Sequence, residues 1–234
     1  MCGRYYRCKD KQHIAEHFKA RNDIGGISLP AWDYNVAPTT MQPVIRDSRN
    51  DIGREFVLLR WGLIPFWTKD LKQFRTLSTI NARGEAVATS PTYRESFRKR
   101  RCIIPASGFY EWKRIDDKTK RPFGFDLLSG NMIGFAGVWD AWKEPKRLHN
   151  EVDRWIQSFS IITTEANELM ASVYDRMPVI LHPRDYDRWL DRTVTEQLPT
   201  DLLRPFPADE MKAFEVSRDI GNVRNNSPEL LNSR

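Results

Sequence analysis

Apolar residues in this chain gather in short runs that suit strands more often than helices. Residues 55–61 (EFVLLRW) read as a strand, and so do 102–104, 109–113, 132–139 and 159–163. Each is brief, rich in β-branched or aromatic side chains, and bounded by Gly, Pro or Ser. Helical spacing is rarer. Residues 10–19 place Ile14 and Phe18 four apart on one face. Ser90 suits an N-cap and Pro91 a first helical position, for a helix running to about residue 99. His182-Pro183 opens another through Leu190, and Thr164 is placed to cap one over 165–172. Strands outnumber helices in the middle of the chain and do not alternate regularly with them. That predicts an α+β fold, with a curved, mostly antiparallel β-rich core flanked by short helices, rather than a doubly wound sheet.

No repeat, low-complexity segment or long linker interrupts the 234 residues, so one domain is the simplest organisation. No apolar run approaches the ~20 residues of a membrane span, so no membrane partner is expected. The start leads into no apolar signal segment. With 3 cysteines and no such segment, a reducing cytosol and a cytoplasmic location are expected.

The net charge of +6 and a pI near 9.3 point to an anionic partner. The signal gains weight from 8 Trp, 7 Tyr and 12 Phe, several beside basic residues or glycine. Aromatic faces next to cations suit unstacked bases and phosphates. The phosphate-cradling patterns G-x-x-x-x-G-K-[ST] and G-x-G-x-x-G are absent, so no nucleotide cofactor is indicated. His13 and His17 stand four apart on the first helix, but no carboxylate or cysteine pattern completes a metal site; a solvated helix face is the ordinary reading. No metal and no other cofactor is expected.

Cys2 is the most suggestive residue. Removal of Met1, expected before so small a second side chain, leaves an α-amine and a thiol two carbons apart. Their reference pKa values are about 7.7–8.0 and about 8.5. Such a 1,2-aminothiol meets an aldehyde in two steps: the amine forms a Schiff base, then the thiol closes on the same carbon to give a five-membered thiazolidine. An interior cysteine lacks the amine. Cys102 begins an apolar run and reads as a small buried hydrophobe, and Cys8 likewise carries no chemistry.

Ordered segments then match a known pattern. They are Met1-Cys2-Gly3-Arg4-Tyr5, Tyr34-Asn35-Val36-Ala37-Pro38, Trp61 to Trp67 (WGLIPFW), Ile80 to Glu85 (INARGE), Arg101 to Pro105, and Gly108 to Trp112 (GFYEW). Phe135 to Trp139, Asp175 to Val179, and Val216 to Asn225 continue the series. Anchored at Cys2 and running almost to the end, the set resembles the SOS response-associated peptidase (SRAP) family. The resemblance implies one SRAP-like domain over residues 1–225 and a polar tail over 226–234. It implies a sensor of abasic sites in single-stranded DNA, which joins the ring-opened sugar to Cys2 as a thiazolidine and shields the lesion. A monomer is the default, and nucleoid association follows if the source is bacterial.

Glu111, flanked by aromatics, suits the proton transfers of ring opening and closure. By pattern alone it equally suits the exposed face of a strand; the family motif makes it catalytic. The amide of Asn81 both donates and accepts, as holding an amine or sugar oxygen requires, although a turn asparagine looks the same in sequence. Tyr174 departs from the family: a histidine usually precedes Asp-Arg-Met-Pro. A phenol donates a hydrogen bond but is a poor base near neutrality, so steps that rely on an imidazole should be slowed. The resemblance places Arg4, Arg83 and Arg176 on phosphates, Pro38 and Trp67 against flanking bases, and Thr163 near the sugar. The basic stretch 94–101 reads as a solvated helix face. Two other functions suit the same residues: a cysteine-dependent autopeptidase that removes its own first residue, and a non-catalytic single-strand binding module.

Overall fold

Strands carry most of the fold. The computed structural model describes residues 2–21, 29–48, 53–71, 74, 76–145 and 154–232. In chain order the elements are β1 (Tyr5–Arg7), α1 (Lys11–His17), β2 (Ala20–Arg21), β3 (Asp33–Val36), β4 (Met41–Asp47) and β5 (Arg54–Trp61). Then come β6 (Asn81–Arg83), α2 (Gly84–Val87), α3 (Arg94–Lys99), β7 (Arg101–Ala106), β8 (Gly108–Arg114) and β9 (Lys120–Leu127). The last are β10 (Ile133–Lys143), β11 (Trp155–Glu165), α4 (Glu168–Ala171), β12 (Arg176–Pro178), β13 (Ile180–Leu181), α5 (Tyr186–Leu190) and β14 (Met211–Glu215).

Two sheets form. The smaller runs β14-β9-β8-β1-β3, antiparallel throughout. In the larger, β11-β10-β7-β4-β5 are neighbours, and β5 returns to pair with β11 in parallel through Arg60–Ser158 and Trp61–Phe159. That last pairing closes five strands into a barrel and removes both free edges. The short β6 and β12 flank β11, parallel and antiparallel to it respectively.

Alternation explains why the runs read from sequence are apolar at nearly every position. On β7, Cys102, Ile104 and Ala106 face one buried cluster, with Tyr5, Trp61, Phe109 and Phe135, while Ile103 faces a second, with Phe97, Val138 and Trp189. Successive side chains of a strand point to opposite faces, and here both faces are covered. Phe135 is wholly buried, and its replacement by alanine would cost about 3–5 kcal/mol. Gly137 permits a close approach between strands, since a Cβ there would lie 2.3 Å from Ile104 and 2.8 Å from the Ser160 carbonyl.

The helices are shorter than spacing suggests. Asp10 caps α1, its carboxylate accepting from the His13 amide at 2.9 Å. Residues 90–93 form a turn, and α3 begins at Arg94. Thr164 caps no helix: it lies on β11, opposite Met177. Asn167 caps α4 instead, accepting from the Met170 amide at 2.9 Å. A β-branched residue extends a ladder more readily than it ends one. Residues 226–232 stay on the domain. Asn226 accepts from the Tyr34 amide at 2.6 Å, and Leu230 is buried. No helix among the described residues is long and apolar enough to cross a membrane.

Candidate active site

The start of the chain is held where the small sheet meets the rim of the barrel. Arg4 continues the β1–β8 ladder, its carbonyl accepting from the Tyr110 amide at 3.0 Å. This brings the segment before β1 alongside Glu111 on β8. Cys2 is completely buried within the first apolar cluster. Its Sγ lies 3.9 Å from the Arg4 carbonyl oxygen, within reach of a weak thiol hydrogen bond.

Two strands, β6 and β8, converge on Cys2. Asn81, the first residue of β6, donates from Nδ2 to the Cys2 carbonyl at 2.9 Å. Its Oδ1 is buried with no hydrogen-bond partner among the described residues. Glu111 is 5% exposed, and burial raises its carboxyl above the ordinary glutamate range. Burial also drives the Cys2 thiol upward, and the charge of Glu111 adds to the effect. Cys2 therefore favours its protonated thiol, and the carboxyl whose charge it senses is Glu111, whose own affinity for protons has been increased by burial. Tyr174, partly exposed after α4, lies within electrostatic range of this carboxylate. Burial and then the charge of Glu111 raise its phenol.

Thr163, Arg83 and Arg176 meet beside this centre. On β11, Thr163 faces Arg83 of β6 on one side and Pro178 of β12 on the other. Arg176 grips Glu85 with both terminal nitrogens, at 2.7 and 2.9 Å, and also donates to the Thr163 carbonyl at 2.8 Å. Arg83 is exposed. Arg4 is half-buried and spends Nη1 on Asn35 Oδ1 at 2.7 Å and the Ile220 carbonyl at 3.0 Å.

Pro38 and Trp67 stand apart from the trio. Pro38 lies in the turn after β3, beside Thr39, whose amide donates to the Trp61 carbonyl at 2.9 Å. Trp67 is 51% exposed next to Phe66 at 65%. No hydrogen bond among the described residues joins either to Cys2, Asn81 or Glu111. His13 pairs with Asp10 at 2.9 Å, and among the described residues no group of three or more His, Cys, Asp or Glu is arranged for a metal. Cys102 is buried in the first cluster.

Two residues of consequence were not singled out from the sequence. Glu85 sits inside the INARGE segment, but nothing local says that its partner is Arg176, 91 positions away. Asn35 is 4% exposed and donates to the carbonyls of Ile220, Asn222 and Asn225. It pins the C-terminal segment beneath Arg4. Its place in the Tyr34–Pro38 segment was the only available signal.

The family model described as SOS response associated peptidase (SRAP) matches residues 1–223. Abasic site processing protein YoqW of Bacillus subtilis is 40% identical over 237 residues, spanning all of both chains. Abasic site processing protein HMCES of Xenopus tropicalis is 27% identical, covering 99% of this chain and 78% of its own. Among solved structures, a Bacteroides thetaiotaomicron protein superposes with a TM-score of 0.85 at 26% identity, covering 98% of each chain. A Bordetella bronchiseptica protein gives 0.72 at 29% identity, over 92% of this chain and all of its own.

Proposed function

The chain belongs to the SOS response associated peptidase family, and from that premise we propose that it captures abasic sites in single-stranded DNA through Cys2, once Met1 is removed. The observation that supports this best is the convergence of Asn81 and Glu111 on Cys2, at a rim carrying Arg83, Thr163 and Arg176. Relatives that span the whole chain are named for processing abasic sites.

The amine of Cys2 attacks the aldehyde of the ring-opened sugar. Loss of one water gives the Schiff base, with a proton supplied to the departing oxygen. The thiol then adds to the same carbon. Its sulfur forms the C–S bond, its proton leaves, and the nitrogen, which carries its proton in the cationic Schiff base, becomes the neutral secondary amine of the thiazolidine. Glu111 donates the first proton and receives the second, a cycle favoured by the burial that raises its carboxyl above the ordinary range. Asn81 fixes the Cys2 carbonyl, and so the direction in which amine and thiol leave the backbone. Tyr174 offers a hydrogen bond to the sugar but no base.

Single-stranded DNA is favoured over duplex because the sugar must reach a chain start set inside the protein. Flipping a nucleotide out of a duplex adds a cost of a few kcal/mol. The test is incubation with a single-stranded oligonucleotide holding one abasic site, followed by denaturing electrophoresis. A slow-migrating adduct, absent with Cys2→Ala and weaker with a fully paired duplex, is expected. Salt-labile binding without an adduct would leave only a binding module, and release of a leader without DNA would leave only a peptidase.

A further inference from the structure

Asn81 sits on a strand of three residues that pairs with β11 on one side. A short strand at a sheet margin is held weakly by its ladder alone, and small shifts of its first residue would move Nδ2 off the Cys2 carbonyl. Side chains from three other elements grip the backbone at this point. The Thr79 carbonyl accepts from the Ser160 hydroxyl on β11. The Ile80 carbonyl accepts from Trp61 Nε1, at the end of β5, at 3.0 Å. The carbonyl of Asn81 itself accepts from the Tyr93 hydroxyl at 3.1 Å. Three consecutive carbonyls are thus fixed by three side chains. Tyr93 alone acts on the residue that touches Cys2.

We propose that Tyr93 is a positioning residue for the reaction, setting through its hydroxyl the placement of Asn81 against Cys2. This rests on the reading of Asn81 as a site residue. Tyr93 lies directly before α3, where its carbonyl accepts from the Phe97 amide at 2.7 Å. Its ring packs against the second apolar cluster, so its anchor is independent of the small sheet that carries Glu111 and of the segment ahead of it that carries Cys2. Its hydroxyl also lies beside Ser160, the side chain that holds Thr79. Tyr93 touches neither Cys2 nor Glu111 by any hydrogen bond among the described residues, so it acts through Asn81.

Tyr93→Phe removes the hydroxyl and leaves the ring. Single-turnover crosslinking to saturating single-stranded abasic oligonucleotide is compared for the parent, Tyr93→Phe, Asn81→Ala and the double variant. Tyr93→Phe is expected to slow the link about three- to tenfold, the worth of one hydrogen bond. Affinity for the same oligonucleotide without the lesion should stay within about twofold of the parent. In the Asn81→Ala background the substitution should have no further effect, since coupled residues are not additive. An equal slowing in both backgrounds, or no slowing in the parent, would overturn the proposal. Absence of any link in the parent would instead overturn the functional reading. A second measurement without DNA then decides: exchange of the Asn81 side-chain amide protons with solvent, read by NMR, should quicken about threefold or more in Tyr93→Phe, and unchanged exchange would refute positioning.

Discussion

The side-chain amide of Asn81 donates to the main-chain carbonyl of Cys2 at 2.9 Å, across 79 positions of sequence. The link joins the segment ahead of the small sheet to a strand on the barrel rim. It fixes the backbone from which an amine and a thiol would both project. Asn81→Ala should therefore act twice. It leaves a buried carbonyl without its donor, at about 1–3 kcal/mol of stability, and it should slow the covalent step at least tenfold at saturating DNA. Chemical denaturation and single-turnover crosslinking measure the two effects; an unaltered rate would remove Asn81 from the mechanism.

Glu111 sets an expected pH dependence. Burial raises its carboxyl above the usual glutamate value, so the fold favours the neutral form. The stability this contributes is complete below the unfolded pKa, about 4.3, and is lost as pH rises through the raised folded value. The protonated carboxyl that donates the first proton is lost over that same upper range, so the crosslinking rate should fall with pH there. Glu111→Gln should abolish that limb and slow the link about 10²- to 10⁴-fold, while making stability less sensitive to pH over the same window. A pH–rate profile identical in the two proteins would exclude Glu111 as the proton carrier.

The resemblance implies a histidine at the position of Tyr174, whose phenol is raised by burial and by the charge of Glu111. In the proposed mechanism it serves as a hydrogen-bond donor and not as a base. Tyr174→His should quicken both formation and reversal of the link, most visibly near the reference imidazole pKa of about 6.5. Rates followed in both directions test this, and identical values for the two proteins would dismiss a role for the position in proton transfer.

Arg83 is exposed on the rim, whereas Arg176 is occupied by Glu85 and Thr163. Arg83→Ala should weaken single-strand binding across sequences and lower the slope of log affinity against log salt by about 0.7, one phosphate's share. Titrations at several salt concentrations would show it. An unchanged slope would mean that Arg83 meets no phosphate.

The sequence carried much of this, unevenly. Strands buried on both faces, such as β7 and β10, announce themselves as continuous apolar runs. Among the strands missed, β1, β3, β4 and β9 escaped because Arg7, Asn35, Gln42 and Asp126 interrupt their patterns with polar side chains. Much of what satisfies those interruptions is tertiary: Arg7 donates to the carbonyls of Pro30 and Ala31, and Asp126 accepts from the Tyr6 hydroxyl. Thr164 failed as a cap for the complementary reason, since the ladder with β12 claims it. Within the site, Cys2, Asn81 and Glu111 were legible because each lies in a recognisable segment. Tyr93, which holds Asn81, Asn35, which holds Arg4, and Glu85, which holds Arg176, were not, because their roles exist only once distant segments meet.

The most direct test is the intact mass of the product formed with a single-stranded oligonucleotide bearing one abasic site, followed by mapping of the modified peptide. The account predicts one covalent species, with the mass of the protein lacking Met1 plus that of the cleanly joined oligonucleotide less one water, and the modification on Cys2. A product that retains Met1, or a link on any other residue, would contradict it.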